Sequence, residues 1–171
     1  RTRDLEEEKN TSERLLCNIL PLELVSELKE KGKTTPRRYD NVSILFTDFT
    51  GFTTTSSTLP AEHLVGELNE MFNAFDDIID HHGLEKIKTI GDAYMVAGGL
   101  PKESEDHALK CVRAALEMQK YLENRNEVSM IKWRMRAGIH SGTVIAGVVG
   151  RLKFTYDVWG NTVNIASRME S

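Results

Sequence analysis

Residues 41–53 read NVSILFTDFTGFT. The segment 41–46 is short, apolar and rich in β-branched and aromatic residues, which marks a strand buried in a sheet. The run stops at Thr47-Asp48, and a glycine-containing stretch, Phe49 to Thr53, follows. Downstream, residues 59–82 carry Leu64, Val65, Leu68, Met71, Phe72, Phe75, Ile78 and Ile79 at helical spacing. Pro60 sits near the first turn of that helix and Gly83 closes it. Residues 84–90 and 93–98 read as two strands joined by Gly91-Asp92, a two-residue turn of hairpin type.

A second amphipathic helix spans 103–124, with Ala108, Cys111, Val112, Ala115, Leu116 and Met118 expected inward. Residues 131–140 and 143–149 read as another hairpin around Ser141-Gly142, and Gly160 precedes a last helix over 161–170. The order is strand, helix, hairpin, helix, strands, helix. That order predicts an α+β fold, a ferredoxin-like split βαβ sandwich.

Upstream of the domain lies an arm, residues 1–40. Its first nine residues are almost all charged or polar, then Leu15, Leu16, Ile19, Leu20, Leu24, Val25 and Leu28 form a helical stripe. Thr11 or Ser12 is a candidate N-cap, Pro21 a kink or restart, Gly32 a stop, and 33–40 a linker. So short an arm needs something to pack on. A parallel pairing with a second copy of the chain and packing on its own domain are the two possibilities.

The chain has 171 residues and a formal net charge of -4. A sequence-independent nucleic-acid binder carries a basic excess, so no nucleic-acid partner is expected. No apolar run approaches the ~18 residues of a membrane span. Cys17 and Cys111 do not make a disulfide framework, and both are expected to be small buried hydrophobes in a reducing compartment.

Two aspartates carry the first chemical signal. Asp48 ends the buried strand and Asp92 stands at a hairpin tip. Each can be a turn or capping residue. Each can also be a ligand for a hard divalent cation, because carboxylate oxygens suit Mg²⁺ and Mn²⁺. Central strand and hairpin are neighbours in the expected fold, so both carboxylates can face one site. The stretch Phe49, Thr50, Gly51, Phe52, Thr53 adds hydroxyls and a turn whose N–H groups can cradle phosphate oxygens.

FTDFTGFT, KIKTIGDAYM, GIHSGTVIAGVVG and YDVWGNTVNIASRME, in this order, together resemble the class III adenylyl/guanylyl cyclase catalytic domain. The similarity runs from about Val42 to the chain end, and the arm resembles the helical linker that precedes such domains. The resemblance therefore implies a linker or dimerisation arm over 1–40 and a catalytic domain over 41–171. It implies that further chain, with a phosphate-binding lysine, follows Ser171. Asp48 and Asp92 match the metal-binding aspartates, for two Mg²⁺ or Mn²⁺ per site, with the Phe49 carbonyl facing an ion. Residues Phe49 to Thr53 match the phosphate-binding turn. Lys88 and Asp157 match the purine-reading pair in the adenine-selecting form, which implies ATP. Asn164 and Arg168 match the transition-state pair. They lie four apart, on one helix face.

The implied protein is an adenylyl cyclase with shared sites in a homodimer, in a cytoplasmic domain fed by an upstream sensor or membrane segment. A guanylyl cyclase and a non-catalytic, nucleotide-binding regulatory domain are the alternatives. An arginine often stands five residues before the base-reading aspartate. Leu152 holds that place here, between Arg151 and Lys153. His140 and Ser141 lack a placed carboxylate for nucleophilic catalysis. His81 and His82, adjacent on a helix, suit a helix end better than a metal. His63 and His107 are expected at the surface, and Trp133 and Trp159 in a core or interface.

Overall fold

A computed structural model describes all residues, Arg1–Ser171. Its elements are α1 (Thr2–Cys17), α2 (Leu22–Lys31), β1 (Arg37–Thr50), α3 (Phe52–Thr58), α4 (Ala61–His81), β2 (Glu85–Ile90), β3 (Ala93–Gly98), α5 (His107–Val128), β4 (Arg134–Val149), β5 (Thr155–Trp159) and α6 (Asn161–Glu170). The strand order is β2-β3-β1-β4-β5. Two compact units are present. One comprises Tyr39–Val144 with Trp159–Ser171, the other Arg1–Arg38 with Ile145–Val158.

The larger unit is the α+β sandwich expected from the strand and helix order. β1 pairs antiparallel with β3, with Leu45 opposite Val96 and Thr47 opposite Tyr94. One sheet face carries the core, where Leu45, Phe49, Tyr94, Val96, Trp133 and Met135 meet Met71, Phe75 and Ile79 of α4 and Cys111, Ala114 and Met118 of α5. Alternation along a strand sends Ile44, Phe46 and Asp48 of β1, and Arg136 and Gly138 of β4, to the opposite face. There α6 lies against β4. A Cβ at Gly138 would overlap the backbone of Met169 and Glu170, and one at Gly142 would stand 2.5 Å from Thr162 Oγ1. Thr162 Oγ1 also donates to the Thr143 carbonyl at 2.8 Å. Small residues on β4 thus let the helix backbone close onto the strand.

Several expectations are corrected. Ser141-Gly142 does not turn, and β4 runs straight through it. Gly142 serves close approach by Thr162, not chain reversal. β1 begins at Arg37 and continues past Asp48 to Thr50, so part of the supposed linker is strand. Helix α5 starts at His107 rather than 103, and Val112 and Leu116 face outward, as does Val65 of α4. His107 is not a simple surface residue. Its Nδ1 lies 2.7 Å from the buried Ser43 Oγ, which also lies 2.6 Å from Ser141 Oγ. Cys111 is buried, but Cys17 is exposed. Trp133 is buried and Trp159 largely exposed.

In the smaller unit the arm is a helical hairpin. α1 starts at Thr2, ahead of the expected cap, and buries none of its residues. Pro21 caps α2, restarting the chain as a second helix. The Lys29 ammonium pairs with Glu13, tying α2 back onto α1. Leu20 and Val25 are buried, whereas Leu15, Ile19 and Leu22 are exposed. No helix is long and apolar enough to cross a membrane.

Candidate active site

The β1–β3 register brings the two aspartates together. Thr47 faces Tyr94, so Phe49 comes level with the β2–β3 turn, and its N–H donates to Asp92 Oδ2 at 3.3 Å. Asp48 lies beside Asp92 closely enough to share a hydrogen bond. Burial, that hydrogen bond and the Asp48 charge push the Asp92 carboxyl up to about 6. Asp48 Oδ1 is buried without a hydrogen-bond partner. Two crowded carboxylates with an orphaned oxygen are unfavourable alone, and a divalent cation with a preference for oxygen ligands relieves both defects. The residues present therefore fit a Mg²⁺ or Mn²⁺ site.

Behind the aspartates an aromatic wedge sets the turn. The Phe49 ring lies tilted at 5.4 Å from Trp133 and the Phe52 ring at 6.0 Å from it, centroid to centroid. Beside this wedge Gly51 and Thr53 are exposed. Gly51, at φ +69°, caps α3 in the left-handed conformation. Trp133 is held in turn by its Nε1, which donates to Glu67 Oε2 at 2.8 Å, and the same oxygen pairs with the buried Arg125 at 2.6 Å. Arg125 also pairs with Glu70 at 3.3 Å.

Lys88 owes its direction to a bulge. Lys86 stands opposite Val96 and Lys88 opposite Met95, so Ile87 is an extra residue in β2. Opposed residues share a sheet face. Lys86 therefore shares the face of Val96, toward α4, where its Nζ reaches Asp76 at 2.8 Å. Lys88 is turned to the other face, the one that carries Asp48. Asp157 belongs to the smaller unit, half-buried in β5, where its Oδ1 accepts from the Val158 N–H at 2.8 Å.

Asn164 and Arg168 are both exposed on the outer side of α6, while Thr162 and Ala166 of the same helix are buried. The fold does not bring them to Asp48 and Asp92 through any recorded hydrogen bond. Glu170 and its ion-pair partner Arg136 escaped the sequence reading. Glu170, at the end of α6, has a side chain only 10% exposed, 3.4 Å from Arg136 Nε. Its Oε1 is buried without a hydrogen bond. Burial and then the Asp48 charge raise its carboxyl above the usual range, against the pull of Arg136. The available signal was its place two residues after Arg168, where it had no assigned partner.

Residues 34–171 match the family model described as the adenylate and guanylate cyclase catalytic domain. The chain is 44% identical over 169 residues to an adenylate cyclase of Mycobacterium tuberculosis, covering 98% of this chain and 38% of that protein. It is 43% identical to guanylate cyclase 2D of Rattus norvegicus, over all of this chain and 16% of that protein. The chain thus spans well under half the length of these relatives. Among solved structures, it resembles the catalytic core of a rhodopsin-guanylyl cyclase with converted specificity in complex with ATPalphaS. That similarity has a TM-score of 0.76 and 37% identity, covering 80% of this chain and 74% of the other. With the Asp48–Asp92 pair seated at the end of the central strand of a split βαβ sheet, these matches establish that the chain belongs to the class III adenylyl/guanylyl cyclase catalytic domains.

Proposed function

We propose that this domain is an adenylyl cyclase, converting ATP to 3',5'-cyclic AMP and pyrophosphate. The observation that carries the reading is the Asp48–Asp92 pair, with its orphaned oxygen, beside the left-handed turn at Gly51. Asp48, Asp92 and the Phe49 carbonyl would hold two Mg²⁺ or Mn²⁺. Bound there, the ions supply charge neutralisation of the triphosphate and a lowered pKa for the ribose 3'-hydroxyl.

The chain's own groups do the rest. The backbone N–H groups of Thr50 to Thr53 donate to phosphate oxygens, as a nest does. The 3'-oxygen bonds to the α-phosphorus, the bond to the α,β-bridging oxygen breaks, and pyrophosphate and one proton are released. Arg168 faces the charge that develops on the phosphates, and Asn164 orients the ribose. Lys88 donates to adenine N1 and Asp157 accepts from the N6 amino group. Guanine offers an acceptor and a donor in the opposite places, so this pair leaves groups unsatisfied against it.

The exposed position of Asn164 and Arg168 supports sites shared between two copies of the chain. In that arrangement one copy brings the ions and the other brings Lys88, Asp157, Asn164 and Arg168. The helical hairpin at the N-terminus suits a linker from an upstream sensor or membrane segment to a cytoplasmic domain. The near-equal identity to adenylyl and guanylyl relatives favours a second reading, a guanylyl cyclase. Cyclic nucleotide formation from Mn-ATP and Mn-GTP decides between them. ATP should be preferred, and Lys88→Glu with Asp157→Cys should move the preference toward GTP. An unchanged preference in the double variant overturns the assignment of these two residues.

A further inference from the structure

Trp133 is fixed at more points than packing requires. It is 1% exposed, and a buried indole needs one partner for its N–H. That partner is Glu67 Oε2, at 2.8 Å. The backbone of Trp133 is held as well. The Asn126 side chain donates through Nδ2 to the Trp133 carbonyl at 2.7 Å and accepts from the Trp133 N–H at 3.0 Å. Glu67 is fixed in turn, because the same Oε2 accepts from Arg125 Nη2 at 2.6 Å, and Arg125 reaches on to Glu70. Arg125 and Asn126 are neighbours near the end of α5, while Glu67 and Glu70 lie three apart on one face of α4. Two helices thus clamp one indole. Against it rest the rings of Phe49 and Phe52, the residues on either side of Thr50-Gly51.

We propose that Glu67 is a positioning residue for the phosphate-binding turn, acting through Trp133. The proposal rests on the reading of Thr50 to Thr53 as that turn. A bond from Trp133 Nε1 to an ionised carboxylate is stronger than one to a neutral acceptor, and it fixes the rotation of the indole about its side-chain bonds. The indole decides where the Phe49 and Phe52 rings seat, and so the course of the backbone between them. A cradle aligned before its ligand arrives loses less on binding than one that must be ordered. Phosphate oxygens are held before and during the reaction, so a slackened cradle acts on KM rather than on kcat.

Two measurements on the whole chain test this: calorimetric affinity for inorganic tripolyphosphate with Mn²⁺, and steady-state kinetics with whichever of Mn-ATP and Mn-GTP it converts. Glu67→Leu should weaken tripolyphosphate binding and raise KM about tenfold, with kcat within about twofold of wild type. Glu67→Gln should stay near wild type in both, since one amide oxygen can accept from Trp133 and Arg125 together. Trp133→Phe removes the N–H donor and leaves the Glu67–Arg125 pair. It should show the same rise in KM, and adding Glu67→Leu to it should raise KM no further. Wild-type affinity and KM in either folded single variant overturn the proposal, as does multiplication of the two effects in the double variant. If Glu67→Leu does not fold, Trp133→Phe carries the test alone. Failure of the wild type to bind Mn-tripolyphosphate overturns the reading of the turn, and the proposal with it.

Discussion

Lys88 stands opposite Met95, not Tyr94, because Ile87 is an extra residue in β2. A one-residue change of register moves a strand's side chains to the other face. The bulge thus holds Lys88 on the face away from Lys86 and Asp76. Lys88→Ala should lower cyclic AMP formation by about a hundredfold, the scale of losing a base-reading hydrogen bond. The folded content by circular dichroism should remain close to wild type. Full activity in Lys88→Ala would show that Lys88 does not read the base from this face.

The raised carboxyl of Asp92 sets the pH dependence of the cation-free protein. A carboxyl whose folded pKa lies above its unfolded value contributes stability below the unfolded value and loses it as pH rises. Here the loss runs from near pH 4 through about 6. Asp92→Asn should thus gain on wild type across that window, melting about 2–4 °C higher at neutral pH without divalent ions. Mn²⁺ should stabilise wild type at neutral pH and leave the variant unmoved. Thermal melts at pH 4, 5, 6 and 7, with and without Mn²⁺, check both parts.

Sites shared between two copies, as proposed, make a complementation experiment decisive. Asp48→Asn removes the cation half of a site and Arg168→Ala the other half, so each variant alone should be inactive. Mixed dimers of the two contain one intact site in two. With random pairing, the mixture should regain about a quarter of wild-type activity. No recovery on mixing, with mixed dimers demonstrated by differential tags, would place all these residues in one chain's own site.

Gly138 tests how firmly α6 depends on the strand beneath it. The Cβ of Gly138→Ala has no room under Met169 and Glu170. Overpacking of this kind costs about 1–3 kcal/mol. Chemical denaturation should show that loss, and exchange of the 161–170 amides should rise more than that of β1 or β3. A melt unchanged from wild type would mean that the helix adjusts without cost.

The periodic segments were the legible part. Phe75, Ile78 and Met118 lie where helical spacing put them, and the Gly91-Asp92 turn joins β2 to β3 as read. Asp48 and Asp92 could be paired from the order of elements alone, since the split βαβ arrangement makes β1 and β3 neighbours. Glycine misled at Ser141-Gly142, because a glycine that admits a helix and one that turns a chain look alike locally. Polar spacing hid only where α1 begins, because none of its residues is buried and its first turns carry no apolar stripe. The bulge at Ile87 left no mark in a strand already interrupted by lysines. Glu170 went unnoticed because its partner, Arg136, comes from a strand distant in sequence.

The close seat of α6 on β4 has a mechanical consequence. Gly142 at one end and Gly138 at the other bring the strand into the helix at Thr162 and at Met169–Glu170, two points about two turns apart. A rod gripped at both ends can lift but cannot roll. The backbone that carries Asn164 and Arg168 thus keeps one fixed heading relative to the sheet. In the proposed shared site, a nucleotide held by the other copy would be brought to them by the approach of that copy and not by a turning of the helix.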